Sequence, residues 1–552
     1  MYAFIVLIIA FAVGHAKTIP WQATKRQVPN DPTGITELIS PQGAKVTYKQ
    51  PGKHGICETK KGVEDYAGYV SLDNKTNMFF WYFAARENPK EKPMTLKSWL
   101  NGGPGSDSMY GLFLEHGPCN VTADLKTKWN PYSWNEVSNM LYLSQPMGVG
   151  FSYETTVVGS YDNETEMVTP APEAEAEGRW SLVDPDRANT TEAAAIGAWH
   201  IIQALLGVSE ESGNPKISNR TFNLWTESYG GHYGPTFYDY FYKQNEAILN
   251  GSLAGYPMSM HTLGIINGII DERIQAPFYP EMAVNNTYGI KAVNDSIYTF
   301  MKQAYEVPGG CRGQLDLCAK ALEKAPTAED TYRYCSSAAT SCHNFVEQPY
   351  YDFGGRGAYD IRVSNETELP SYWEDFLNLQ STQEILGVNI NYTTGNRNVS
   401  LGFEQSGDSA YPHFIKDLED ILEKGVRVLL QHGDADYVCN WLGGEAVSLQ
   451  MNYTHAEHFR AAGYAPFMVD GTEYGVVREY GNFSFTRLYE AGHMTPFYQP
   501  EATLEFFRRA VNNLDIAEGN SVITEKFSTN GTASATHTEP YVAVPKNTGG
   551  YE

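Results

Sequence analysis

The sequence predicts an α/β fold, with a mostly parallel central sheet flanked by helices and an inserted, largely helical cap subdomain. Three observations predict it. Short apolar runs that each end at a glycine or polar loop alternate with helical patterns, as expected of a parallel sheet covered on both faces. A strand-rich meander precedes them. Residues 277–413 then break the rhythm, holding four of the seven cysteines, many tyrosines and helical patterns without strand partners. At 552 residues the chain suits a large core carrying an insertion and a tail.

The elements follow in order. "MYAFIVLIIAFAVGHAK" has an apolar run from Phe4 to Val13, too short to span a bilayer, then Gly14 and Ala16. Residues 1–16 therefore read as a signal peptide cut after Ala16. An uncleaved anchor is the alternative, because no Lys or Arg precedes the run. No other segment reads as long and apolar enough to span. Residues 17–45 form an N-terminal segment and a candidate propeptide. The first part of the core covers 46–276. Here "YAGYVSLD", "NMFFWYFAA" and "MTLKSWL" are rich in β-branched and aromatic residues between turn formers, which makes a meander. "NMLYLSQPMGVGFSY" adds a buried strand and a Gly-rich loop, and "EAAAIGAWHIIQALLGV" has the spacing of a helix packed on the sheet. Glu154 to Asp186 is acidic and rich in Pro and Ala, and reads as a surface excursion. "RTFNLW", "HTLGIING", "GVRVLLQHG" and "SFTRLYEAG" complete the strands, the last two in the second core part, 414–515. Residues 516–552 are polar and read as a disordered tail without the hydrophobic end of a GPI signal.

Bulk properties narrow the function. A formal charge of −25 argues against nucleic acid and anionic membranes as partners, since both are negative, and fits an acidic extracellular or vacuolar setting. Fourteen N-x-S/T triplets between Asn74 and Asn530 suggest a glycoprotein with N-linked glycans. Seven cysteines leave one over after three bridges, with fifteen connectivities open to any six. Cys311 and Cys318 are spaced like Cys335 and Cys342, so an antiparallel hairpin would pair Cys311 with Cys342 and Cys318 with Cys335. Cys57 and Cys119 then form the third bridge, leaving Cys439. A zinc site is the competing reading of the central four, against which the long spacings count.

The chemistry centres on "RTFNLW" followed by "TESYGGHYGP". This is the strand, sharp turn and helix of a nucleophile elbow, which exposes Ser228 at the carboxyl end of the strand. Small neighbours are needed two residues either side; Gly230 meets this, and Thr226 stands where glycine is usual. An elbow serine needs an acid and a histidine from later strand ends. "VRVLLQHGDADYVCNW" supplies Asp434 and Asp436, and "FTRLYEAGHMTPF" supplies His493, in the required order. An oxyanion hole needs backbone N–H donors, which Gly103 in "TLKSWLNGGPGSDS" and Tyr229 can supply.

Together, "WLNGGPGS", "GLFLEHGP", "PMGVGFSY", "ESYGGHYGP", "GDADYVCNWLGG" and "AGHMTPFYQP" resemble the serine carboxypeptidase family across about Val46 to Asn512. The resemblance implies an α/β-hydrolase fold with a helical insertion, action on the C-termini of peptides and proteins, and no cofactor or metal. It implies Ser228 as nucleophile, His493 as base and Asp436 as the acid that orients the imidazole, with Asp434 structural. It also implies that the substrate carboxylate is held by Asn101, the N–H of Gly102 and a proton shared between Glu115 and Glu227, with Trp99 walling the subsite. Two close carboxyls cannot both ionise cheaply, which explains an acid beside the nucleophile. Tyr110, Leu114 and Met494 match the pocket for the terminal residue. Tyr229 and Cys439, a free thiol, match the pocket for the residue before the cut. The chain departs from the family in having Ser106 and Asp107 where many members carry a bridged cysteine, which looks closer to a secreted fungal branch. Some plant relatives transfer acyl groups or cleave esters on the same fold, and a non-catalytic binding glycoprotein is a third reading.

Overall fold

The computed structural model describes residues 27–73, 75–97, 103–187, 189–213, 217–324, 329–364 and 369–540. Among the described residues, twelve strands form one sheet. In chain order they are β1 (Thr36–Ile39), β2 (Lys45–Lys49), β3 (Asp65–Ser71), β4 (Asn77–Phe83), β5 (Met94–Lys97), β6 (Asn139–Leu143), β7 (Thr221–Glu227), β8 (Ser259–Ile266), β9 (Arg427–Gly433), β10 (Ala465–Val469), β11 (Thr472–Tyr480) and β12 (Phe483–Leu488). The spatial order is β1-β2-β3-β4-β6-β5-β7-β8-β9-β12-β11-β10. The six central strands, β6 to β12 in that order, run parallel. The outer strands on both sides are antiparallel hairpins.

Both faces of this sheet are covered, and the strands read accordingly. Every residue of β9 is buried, as a doubly covered strand requires. Alternation in β4 sends Phe80 and Tyr82 into one apolar layer and Phe79, Trp81 and Phe83 into the other. The first layer is closed by helices α1 (Thr191–Ser212) and α2 (Gly230–Leu249), through Trp199, Ile202, Phe237 and Phe241. The second is closed by the helix Pro500–Val511, through Phe506 and Phe507. α1 starts where the Thr190 side chain accepts the Ala193 N–H and ends at Gly213, whose φ of 72° suits glycine. This helix is long and apolar enough to cross a membrane, contrary to the sequence reading, but 72% of its most apolar window is buried inside the protein. It is a core helix.

Between β8 and β9 the regular elements among the described residues are all helical. The helices Cys311–Lys324 and Glu329–Cys342 lie antiparallel and are stapled by Cys311–Cys342 and Cys318–Cys335. Cys57–Cys119 ties the segment before β3 to the strand Cys119–Val121.

One region gains structure that the sequence did not announce, and another overturns its reading. The acidic excursion folds into a three-stranded antiparallel sheet of Thr155–Asp162, Met167–Pro170 and Gly178–Leu182. Its β-branched run was outweighed in the sequence by the surrounding acidic composition. The expected disorder from residue 516 does not hold for residues 516–540. There Tyr464 N–H donates to Thr532 O (2.7 Å), Thr532 N–H to Tyr464 O (3.0 Å), Gly481 N–H to Phe527 O (2.9 Å) and Met468 N–H to Ala517 O (2.8 Å). The buried Arg487 guanidinium donates to the carbonyls of Ala535 and His537. Low apolar content predicts disorder, but this segment is held by its main chain, which composition does not report.

Candidate active site

The elbow is built at the end of β7. Ser228 has a φ of 61°, a left-handed conformation that non-glycine residues adopt rarely. Three backbone bonds hold it there. Its N–H donates to Ile266 O (3.1 Å), and its carbonyl accepts the N–H groups of Gly231 (2.9 Å) and Ile269 (2.9 Å). The threonine at 226 fits because of its glycine neighbours. A Cβ on Gly230 would lie 2.5 Å from Thr226 Cβ, and one on Gly234 would lie 2.9 Å from Thr226 Oγ1. The Thr226 hydroxyl in turn donates to Gly230 O at 2.8 Å, tying strand to helix.

Asp436 and His493 arrive from the loops after β9 and β12. His493 Nδ1 lies 2.7 Å from Asp436 Oδ2, and His493 Nε2 is 3.9 Å from Glu227 Oε1, so the ring faces the elbow. Asp436 is fully buried; burial pushes its carboxyl up, and the His493 interaction and the N–H groups of Cys439 and Val438 pull it back. Asp434 faces away from this pair. It accepts the Tyr288 hydroxyl at 2.5 Å and Arg487 Nη2 at 3.4 Å, a buried structural knot.

Two residues that the sequence reading missed position the histidine. Asn267, at the end of β8, donates through its amide to the carbonyls of Gly492 and His493 and accepts the Gly433 N–H at 2.8 Å. It therefore ties the β9 and β12 loops together beneath the ring. Tyr359, from the helical insertion, accepts the backbone N–H of His493 with its main-chain carbonyl at 2.8 Å, and its ring centroid lies 4.8 Å from the imidazole. A polar residue directly after an apolar strand was the one available signal for Asn267.

Gly103 has a φ of 131°, open to glycine and strained for other residues. Trp99, Asn101 and Gly102 lie outside the described residues. Glu115 sits on the turn Leu112–His116, and Glu227 closes β7; both are buried. They converge on Tyr110, whose phenol is pushed well up by burial and then by Glu115, Tyr359 and Glu227. Leu114 and Met494 are buried too. The insertion adds Trp373, edge-on to Tyr110 at 5.8 Å, as a wall that no motif announced.

Next to Ser228 are Tyr229 and Cys439, both buried, with Cys439 Sγ 3.9 Å from Ser228 Oγ. Cys439 is the free cysteine among the described residues. Burial, then Asp436, holds its thiol well above the ordinary range, so it stays protonated and unreactive toward most electrophiles. Mass spectrometry of the unreduced protein is expected to find three bridges and one free thiol. A mercurial that reaches Cys439 should stop turnover by filling the space beside Ser228. Cys439 found inside a bridge would refute both points.

At the family's departure point, Asp107 is fully buried and caps the Met109 N–H at 3.3 Å. Burial pushes its carboxyl up to about 7, against the pull of Ser144 and Tyr392.

The fold and the site together define an α/β-hydrolase enzyme. Residues 51–513 match the family described as serine carboxypeptidase. Carboxypeptidase S1 homolog B of Arthroderma otae is 41% identical over 531 residues, covering 89% of this chain and 80% of that protein. Carboxypeptidase S1 of Penicillium janthinellum is 35% identical over 465 residues, covering 84% and 98%. The crystal structure of Kex1(delta)p, a prohormone-processing carboxypeptidase from Saccharomyces cerevisiae, superposes with a TM-score of 0.63 at 21% identity, covering 88% of this chain and 99% of that one. At that identity it speaks for the fold alone. The chain belongs to the serine carboxypeptidase family and is a serine-type carboxypeptidase.

Proposed function

We infer that this carboxypeptidase hydrolyses the last bond of peptides and proteins through Ser228, His493 and Asp436, in an acidic extracellular or vacuolar setting. One observation carries the reading: the 2.7 Å pairing of His493 Nδ1 with Asp436, beside a serine held at φ 61°. With Nδ1–H donating to Asp436, Nε2 is the base that takes the Ser228 proton as Oγ attacks the scissile carbonyl. The N–H groups of Gly103 and Tyr229 receive the developing oxyanion. The imidazolium then gives its proton to the departing amino group, and water releases the acyl chain by the same route. Asp434 serves the fold through Arg487 and Tyr288.

The substrate carboxylate is received by Asn101, Gly102 and a proton shared between Glu115 and Glu227, with Trp99, Tyr110, Leu114 and Met494 around the leaving residue. Tyr229 and Cys439 face the residue before the cut. Secretion is supported by three disulfides, which call for an oxidising compartment. Glycan attachment is supported at exposed asparagines such as Asn163, Asn250 and Asn452. It is not supported at Asn391, which is buried and donates its amide to Asn378. The charge of −25 supports the absence of nucleic acid and anionic membrane partners.

The test compares kcat/KM against pH for a peptide and its C-terminal amide. A shared proton is lost as pH rises, leaving two negative charges facing the peptide carboxylate, so peptide hydrolysis should fall toward neutral pH. Amide hydrolysis should hold or rise, limited by deprotonation of His493. Glu227→Gln keeps a donor at every pH and should flatten the peptide profile. Parallel profiles for the two substrates would remove Glu227 from the carboxylate site and favour an esterase or acyltransferase.

A further inference from the structure

Tyr229 follows the elbow serine, and its side chain is as constrained as its backbone. The phenol donates to Asp408 Oδ2 at 2.5 Å. The ring lies flat on His232 with centroids 4.4 Å apart and a 19° tilt, and Phe403 meets it edge-on at 5.9 Å. Burial drives the His232 imidazole down to about 3, so this stacking partner is neutral. Burial, then Asp408, holds the Tyr229 phenol well above its ordinary range, so it remains a donor at any working pH.

Asp408 sits in the turn Asp408–Ala410, which closes the helical insertion before the helix Phe414–Glu423 leads into β9. It is fully buried, and it also accepts the Thr191 hydroxyl at 2.5 Å and the Thr191 N–H at 2.9 Å. One carboxyl therefore joins the insertion, the first turn of α1 and the elbow. A buried carboxyl without a cationic partner is costly. A core built for stability alone would fill this volume with an apolar side chain. What the carboxyl adds is a directional bond to the residue that follows the elbow serine.

We propose that Asp408 is a positioning residue for acyl transfer: through the phenol of Tyr229 it fixes that residue's N–H against the oxyanion and its ring against the side chain preceding the scissile bond. This rests on the reading of Ser228 as nucleophile and Tyr229 N–H as oxyanion donor. A loosened donor weakens transition-state stabilisation more than ground-state binding, so the effect falls on kcat.

The experiment uses Tyr229→Phe, Asp408→Asn and the double variant, each assayed for kcat and KM on blocked dipeptides and titrated with a phosphonofluoridate ester that labels the active serine. Each single variant should lose roughly 10- to 100-fold in kcat, with KM within about threefold and a full count of labelled serine. The losses in the double variant should be less than additive, because both changes act on the phenol–carboxyl bond, while Asp408→Asn also disturbs the Thr191 contacts. Tyr229→Phe leaves the Thr191 contacts intact, so it decides the matter alone if Asp408→Asn does not fold. An unchanged kcat in Tyr229→Phe, or additive losses in the double variant, would overturn the proposal. Failure of the label to reach Ser228 in the native protein would instead sink the nucleophile assignment beneath it.

Discussion

Ser228→Ala is expected to lower kcat/KM for a blocked dipeptide by roughly 10⁴-fold or more, and His493→Ala by a similar factor, because the members of such a triad act as a unit. Asp436→Asn should cost about as much. An asparagine in its place favours the wrong imidazole tautomer, with the proton on the nitrogen that must act as base. The neighbouring aspartate supplies the internal control. Asp434 pairs with Tyr288 and Arg487, whereas the histidine bonds to Asp436, so Asp434→Asn should leave kcat within about tenfold and lower the unfolding temperature by leaving a buried guanidinium poorly compensated. Kinetics and thermal unfolding of the four variants check this. An inactive Asp434 variant beside a working Asp436 variant would exchange the two roles.

Thermal stability should fall as pH rises through neutral, where buried carboxyls lose their protons. Burial raises the carboxyls of Asp65, Asp107 and Asp408 from an ordinary 3.8 to about 7. Glu272 is raised from 4.5 to about 8, again by burial. Such a group binds its proton more tightly in the folded chain than in the unfolded one. Its contribution is therefore complete below the unfolded value and is lost as pH rises through the folded value. The window for these groups runs from about pH 4 to about pH 8. Up to about pH 6.5 the buried imidazoles of His232 and His432, which burial lowers to about 3 and about 4, oppose the carboxyls, because each must take up a proton on unfolding; the fall is therefore steepest above that value. Unfolding scans at several pH values should show the midpoint dropping by roughly 5 °C or more between pH 5 and pH 8. Asp107→Asn, which removes one titrating group, should make the slope shallower. A midpoint that climbs over the same interval would refute the account.

The parts of this molecule that sequence made legible share one property, which is that their signal is local. An apolar run ending in "TESYGG" marks a strand turning into a helix, and "GDAD" and "GHM" after apolar runs mark strand ends. Their order along the chain was enough to bring Ser228, Asp436 and His493 to one edge of the sheet. Tyr359, Trp373 and Asp408 were not legible, because none of them follows an apolar strand, and Asn267 carried no signal beyond doing so. The Asp408–Tyr229 bond spans 179 positions, and neither residue belongs to a periodic pattern. A buried polar residue looks, in the sequence, like any residue in a loop. The strands at 155–182 and the segment 516–540 escaped for a related reason. Composition weighs side chains, whereas these segments are ordered by pairing of main-chain groups.

The segment that follows the family boundary has a bearing on solubility. β10 lies at the end of the twelve-stranded sheet, with β11 on its inner side only. A bare outer strand offers unsatisfied N–H and C=O groups to a second molecule, and nature usually blunts such edges. Here the chain does so with itself: Thr532 pairs with Tyr464 just ahead of β10, and Ala517 accepts the Met468 N–H within it. A recombinant version cut at residue 513, where the family match stops, would keep every proposed catalytic group yet present this edge to its neighbours. Loss of such material to precipitation would reflect strand addition between molecules rather than a damaged catalytic centre.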